Sequence, residues 1–249
     1  MTSGAMVIDV SQDWAIACDV QQRFMQSPTA GIDNLEYCAR CRQLLALGGD
    51  CYDFMPFEDN RVAVTVADAS GKGLAAALMI ANVQSSIRTA ALLKGHGEAA
   101  TIRAVNRQVH ASSLASRYAT VFYAVFNGAT RRLNYVNAGH NPPMVIRRGG
   151  AISWLETGGA PVGIFPDWSY QEGLVELAPG DLVIAYTDGV IEAVNPAGEE
   201  WGLAGFRKIV AARAAQPADE IVRAVFAAMD EFSAGRQMDD ATVVVLKVH

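Results

Sequence analysis

Basic residues are few and scattered in this 249-residue chain. Lys and Arg number 20 against 26 Asp and Glu, the net charge is −6, and no Lys/Arg run exceeds a pair. That balance argues against a nucleic-acid partner and against an anionic membrane surface. Long apolar runs are missing as well. No stretch approaches the ~18 uninterrupted apolar residues of a membrane span, and the opening MTSGAMVIDVSQDW carries acids inside any would-be signal core. Cysteines number only four, at 18, 38, 41 and 51, and imply a reducing, cytoplasmic setting. Cys38 and Cys41 form a C-x-x-C, but a zinc site needs a second pair, which Cys18 and Cys51 do not make. A redox pair needs a helix after its first thiol, whereas LEYCARCRQLLAL reads as a strand with the two thiols on opposite faces. Structural cysteines are the expectation. No Cys-His or Ser-His arrangement suggests a protein nucleophile.

What the chain does contain is aspartate in a repeated context. Asp50 in LALGGDCYDF, Asp68 in RVAVTVADASGKG, Asp188 in DLVIAYTDGV and Asp239 in QMDDATVVVL each lie at the mouth of a strand-like apolar run, beside small residues. Alternation places Val62, Val64, Val66 and Asp68 on one side of a strand, and Leu182, Ile184, Tyr186 and Asp188 on one side of another. An acid at the end of a buried ladder needs a counter-charge, yet no Lys or Arg lies within three residues of Asp188. Hard divalent cations prefer oxygen ligands, so four converging carboxylates suggest a binuclear hydrolase. A single Asp-Gly is more often a plain turn; the set is the signal.

These motifs, together with LNYVNAGHNPP, GGAPVGIFPD and PGDLVIAYTDGVIEA, occur in the order found in bacterial PPM-type (protein phosphatase 2C-like) serine/threonine phosphatases. The chain resembles the branch of the stage II sporulation protein E and the RsbU-like regulators of stress sigma factors, from about Leu35 to the C-terminus. The resemblance implies an α+β, four-layer α-β-β-α sandwich, two antiparallel sheets flanked by helix pairs, with residues 35–249 as the phosphatase domain and 1–34 as an N-terminal helical extension. It implies two Mn²⁺ or Mg²⁺ ions that activate a water. Asp68 is expected to bridge both, the Ala69 carbonyl and Asp50 to serve the first, and Asp188 and Asp239 the second. Asp68 and Asp50 are the expected catalytic residues. The expected partner is a phosphorylated protein of the anti-sigma antagonist type. With only about 34 residues before the matched region, no attached sensor domain is expected.

Several side chains stay open. Strand parity puts Asp240, not Asp239, on one face with Thr242, although the family motif uses its first acid. Asp53 faces away from Asp50 and suits a local, hydrogen-bonded role. SGKG fails as a P-loop, because Val66 and Gly73 stand where glycine and Ser/Thr are required; Lys72 is either an anion-assisting or a surface lysine. His140 is either a general acid or a loop brace. His96 and His110 read as exposed. Eukaryotic relatives carry an Arg before the first acid, but Leu44–Gly49 contain none, so phosphate binding is unassigned.

The pattern further predicts a helix from Ser11 to about Met25, ended by Pro28 and Gly31, with an incomplete stripe of Trp14, Ala17, Cys18 and Phe24 that suits docking or a homodimer. Strands are expected near 35–46, 51–58 and 61–68, helices from Gly71 and over Glu98–Leu114, four strands between Ala119 and Glu156, and an irregular flap over 157–174. Strands near 174–177 and 181–187, helices near 203–213 and 218–233, and a strand at 241–248 complete the order. The alternatives to a protein phosphatase are a non-catalytic partner-binding module of the same fold and a hydrolase of small phosphate esters.

Overall fold

The computed structural model describes residues 10–25, 31–92, 97–114 and 116–249. Pro28, His96 and the Ser11 side chain lie outside the described residues. The chain runs α1 (Val10–Phe24), β1 (Leu35–Arg42), β2 (Asp50–Phe57), β3 (Arg61–Ala69), α2 (Leu74–Leu92), α3 (Glu98–Ser112), β4 (Ala119–Asn127), β5 (Arg132–Ala138), β6 (Met144–Ile146), β7 (Ile152–Trp154), β8 (Gly158–Gly159), β9 (Gly173–Glu176), β10 (Leu182–Tyr186), α4 (Asp188–Ile191), α5 (Gly202–Arg213), α6 (Ala218–Ser233) and β11 (Ala241–Val248). One sheet has the order β1-β11-β10-β6-β7; the other has β2-β3-β4-β5-β8, with β9 also on β5. All named pairings are antiparallel except β5 with β8. The short β8 lies within the span expected to be an irregular flap.

Strand alternation sorts the core into layers. Phe54, Val62, Val64 and Val66 of one sheet meet Val183, Ala185, Val244 and Leu246 of the other. The opposite faces carry the helices: Ala63, Ala67 and Tyr123 pack beneath α2 and α3, while Leu182, Ile184, Val243 and Val245 pack beneath α5 and α6. The result is the expected α-β-β-α sandwich. The β2–β3 hairpin turns at Asn60, whose φ of 57° an Asn tolerates because its short polar side chain can bond locally.

Two expectations shift. β1 ends at Arg42 rather than continuing to 46. More importantly, β10 ends at Tyr186, and Asp188 opens the short helix α4, so strand parity does not aim it. Leu182, Ile184 and Tyr186 do share a face, but it is the helix-covered one. On β1, Tyr37 and Ala39 meet the inter-sheet core whereas Cys38 packs under the helices, so Cys38 and Cys41 point opposite ways. All four thiols are free.

Asp53 is on the helix-facing side of β2 and is 1% exposed. Arg88 of α2 grips it with two parallel bonds, Nε to Oδ2 at 2.6 Å and Nη2 to Oδ1 at 2.7 Å. This pair fastens α2 to β2 directly below the Asp50 end. Arg88→Met leaves a buried carboxylate alone and is expected to lower unfolding stability by about 3 kcal/mol in urea denaturation; a loss within experimental error would show that the pair does not hold the helix.

Candidate metal centre

Antiparallel pairing of β2 and β3 sets Asp50 directly opposite Asp68, at the end of the inter-sheet core. The next residue beyond Asp68 is tied back across the hairpin, since the Ala69 amide donates to the Gly49 carbonyl at 3.0 Å. Asp188 and Asp239 come from the other sheet, one at the start of α4 and one just before β11. Gly189 makes their approach possible. A Cβ there would sit 2.0 Å from the Asp240 carbonyl oxygen and 3.1 Å from the Asp239 Cβ, so no larger residue can follow Asp188.

Asp50 is 1% exposed and is bound across the sandwich. Its Oδ2 accepts the hydroxyls of Thr187 and Thr242, both at 2.7 Å. The threonines are themselves paired: the Thr242 amide donates to Thr187 Oγ1 at 2.8 Å, and the Thr187 amide to the Thr242 carbonyl at 3.1 Å. Neither threonine was singled out from the sequence. Each could have been found by parity, because Thr187 continues the inward face of Val183 and Ala185, and Thr242 that of Val244 and Leu246.

The acids burden one another. Burial and then the charge of Asp68 push the Asp50 carboxyl well above the usual range, with the two threonine hydroxyls opposing. Asp68 is pushed up to about 8 by burial and by Asp188, Asp239 and Asp240, with Lys72 opposing. Burial and then Asp239 raise Asp188. The charges of Asp188 and Asp239 thus reach Asp68, and that of Asp68 reaches Asp50. Among the described residues, no three His, Cys, Asp or Glu side chains close on a single point: Asp239 turns to the Lys72 ammonium at 2.5 Å, and Asp50 to its threonines. The donor chemistry still fits a hard divalent cation, since the facing groups are carboxylate oxygens whose ionised forms lack sufficient counter-charge.

The neighbouring acids part company. Asp240 accepts the backbone amides of Leu44 and Gly49, each at 2.6 Å, and so braces the loop that presents Asp50. It shares a face with Thr242, as parity requires, while Asp239 faces Lys72. Lys72 also donates to the Met238 carbonyl at 2.8 Å; it is an exposed surface lysine, as one alternative had it, held by these two partners.

His140 is 5% exposed. Its Nδ1 lies 2.9 Å from Thr120 Oγ1, and Thr120 pairs with Asp68 across β3 and β4. Its Nε2 has no hydrogen-bond partner, and its backbone amide is held by Asn137 Oδ1 at 2.7 Å. Burial lowers its pKa to about 4. The ring is neutral at pH 7 and holds no extra proton to give. Of the two expectations for His140, the loop brace is the one this geometry favours. His110 is exposed on α3, as expected, and its Nδ1 lies 2.9 Å from the Gly163 carbonyl.

The acids at 239 and 240 should separate experimentally. Asp240→Asn loses one of two amide bonds made by a largely buried carboxylate and is expected to cost about 1–3 kcal/mol of stability. Asp239→Asn breaks a half-exposed ion pair and should cost under about 1 kcal/mol. Thermal and urea unfolding of both variants checks the order; equal losses would show that Asp240 does not brace the loop.

Comparison with known proteins places this geometry. Residues 58–249 match the family model described as "Stage II sporulation protein E (SpoIIE)". Phosphoserine phosphatase RsbU of Bacillus subtilis is 25% identical over 242 residues, 96% of this chain and 71% of that one. The chain spans 33%, 46% and 24% of three further curated relatives. Among solved structures, the SiaA-PP2C domain of Pseudomonas aeruginosa superposes with a TM-score of 0.82 at 22% identity, covering 96% of both chains. The catalytic domain of serine threonine protein phosphatase PstP, solved with 2 manganese ions, gives 0.63 at 18% identity, covering 86% of this chain and 98% of that one. The family match spans most of the chain, and the sandwich with its edge of acids agrees with it: the chain belongs to the stage II sporulation protein E family, the SpoIIE/RsbU branch of the PPM-type serine/threonine protein phosphatases.

Proposed function

We propose that this phosphatase hydrolyses phosphoserine or phosphothreonine on a regulatory protein of the anti-sigma antagonist type, using two Mn²⁺ or Mg²⁺ ions at the acidic edge. The observation that carries the reading is the placement of Asp50 opposite Asp68 at the end of one sheet, with Asp188 and Asp239 brought from the other sheet close enough to raise Asp68. The relative named phosphoserine phosphatase and the neighbour solved with manganese support it.

In this reading Asp68 would serve both ions, Asp50 and the Ala69 carbonyl would hold the first, and Asp188 and Asp239 the second. When bound, the ions supply positive charge for the phosphoryl oxygens and lower the pKa of water enough to provide hydroxide near neutral pH. The chain's own groups do the positioning. Thr187 and Thr242 fix the Asp50 carboxylate, Asp240 holds its loop through backbone amides, and neutral His140 braces Thr120 beside Asp68. Asp239 must leave Lys72 to act as a ligand. Attack of water on phosphorus breaks the P–O bond to the seryl or threonyl oxygen and yields inorganic phosphate and the free hydroxyl, which ends with a proton from the water; no side chain becomes covalently modified.

Residues 35–249 form the catalytic domain in this reading, in a reducing cytoplasm that suits four free thiols. No helix among the described residues is long and apolar enough to cross a membrane. Helix α1 is the extension. Ala17, Cys18 and Gln21 turn towards the domain, whereas Trp14, Ile16, Val20 and Phe24 are each at least 40% exposed. The 16-20-24 spacing makes a ridge through which two copies can associate.

Turnover of p-nitrophenyl phosphate and of a phosphoserine peptide should require added Mn²⁺ or Mg²⁺ and disappear in EDTA. Asp68→Asn should cut it by about 100-fold or more with the fold retained by circular dichroism. Full activity after chelation, or near wild-type turnover in Asp68→Asn, would refute the mechanism; no turnover with any metal would favour a binding module. Deleting residues 1–27 should convert a dimer to a monomer by light scattering. An unchanged mass would remove the role given to the helix ridge.

A further inference from the structure

Two cations border the turn after β3. Lys72 is committed to Asp239 and the Met238 carbonyl. Arg117, just before β4, is placed differently. The β3–β4 ladder extends past its last strand pair: the Ser70 amide donates to the Tyr118 carbonyl at 2.8 Å, and the Tyr118 amide to Ser70 Oγ at 3.0 Å. That zipper sets Arg117 across from Gly71. Its Nη1 donates to the Ser70 carbonyl at 2.7 Å, one residue beyond Ala69 and two beyond Asp68. Gly71, at a φ of +93°, passes so close beneath the guanidinium that a Cβ would lie 2.0 Å from Nη1. The φ of +93° is what calls for glycine here, and the guanidinium lies over its open face.

One carbonyl uses one of five guanidinium N–H groups. Among the described residues no carboxylate pairs with Arg117, and it is half-buried, with its root on a strand entry and its head held by the turn. A guanidinium so fixed keeps a planar edge for a second, anionic partner, and phosphate oxygens match that fork in two parallel bonds. The acidic edge repels a phosphate dianion, and a cation anchored two residues beyond Asp68 offsets part of that repulsion. The segment Leu44–Gly49, which could have carried an arginine ahead of Asp50, has none.

We infer that Arg117 is a substrate-binding residue that holds the phosphoryl group of the incoming phosphoprotein at the Ser70–Gly71 turn. The inference rests on the phosphatase reading above. Arg117→Gln keeps a donor for the Ser70 carbonyl but removes the charge and the fork; Arg117→Lys keeps the charge alone.

The test uses the full chain with saturating Mg²⁺ and inorganic phosphate as probe. Calorimetry gives the phosphate Kd, and phosphoserine-peptide kinetics give KM, kcat and the metal concentration for half-maximal rate. Arg117→Gln should weaken phosphate binding about tenfold or more and raise KM. Arg117→Lys should fall between it and the wild type. Melting temperature and metal half-saturation should not move. An unchanged phosphate Kd in a folded Arg117→Gln or Arg117→Lys protein overturns the assignment, as does a shift in metal half-saturation without one in phosphate Kd, which marks a loop brace. A wild-type protein that neither turns over the peptide nor binds phosphate overturns the phosphatase reading itself.

Discussion

The carboxylate of Asp50 belongs to one sheet, and the two hydroxyls that hold it belong to the other. That cross-sandwich bond sets the rest of the site. It fixes the end of β2, and the β2–β3 register then fixes Asp68 opposite. Through the paired threonines it also fixes where β10 stops and β11 begins, and these ends carry Asp188 and Asp239. Burying a carboxylate costs several kcal/mol, whereas a hydrogen bond to a charged group returns about 1.5–3. Two hydroxyls alone leave little surplus, and the nearby Asp68 charge works against them. The sandwich concentrates acids at a point where a cation, or protonation of the acids, relieves the cost.

The loop before Asp50 is held from two further directions. Asp240 takes the Leu44 and Gly49 amides. From the N-terminal helix, Gln21 donates to the Gly48 carbonyl at 2.7 Å and accepts the Gly48 amide at 3.1 Å. That reciprocal pair is buried, and Gln84 of α2 adds a bond to the Phe24 carbonyl at the end of the same helix. Helix α1 therefore touches the domain through a few polar bonds at the Asp50 loop rather than through a large apolar face. The stripe expected on α1 divides accordingly: Ala17 and Cys18 turn inward, and Trp14 and Phe24 remain exposed.

Charge placement follows the same economy. The basic residues near the site are anchored: Lys72 by Asp239, Arg88 by Asp53 beneath α2, and Arg117 by the Ser70 carbonyl. The edge thus keeps its acids while its rim carries anchored cations.

Sequence alone determined most of the elements, because period-2 apolar alternation and the Ala/Leu-rich helix of residues 74–92 are local patterns, while the four layers followed from the family resemblance. It also singled out Asp50, Asp68, Asp188 and Asp239, since an acid ending an apolar ladder is legible without coordinates. It kept Asp53 apart from Asp50, and parity alone sufficed for that. Tertiary structure decided what depends on partners distant in the chain. Parity along β10 could not aim Asp188, because the strand yields to α4 one residue earlier. Thr187 and Thr242 gain their role only when the second sheet lies over Asp50, 137 and 192 residues away. Asp239 and Asp240 look alike in the chain and differ because one meets Lys72 and the other two backbone amides. The protonation of His140 is likewise a property of burial, which no local pattern around NAGHNPP specifies.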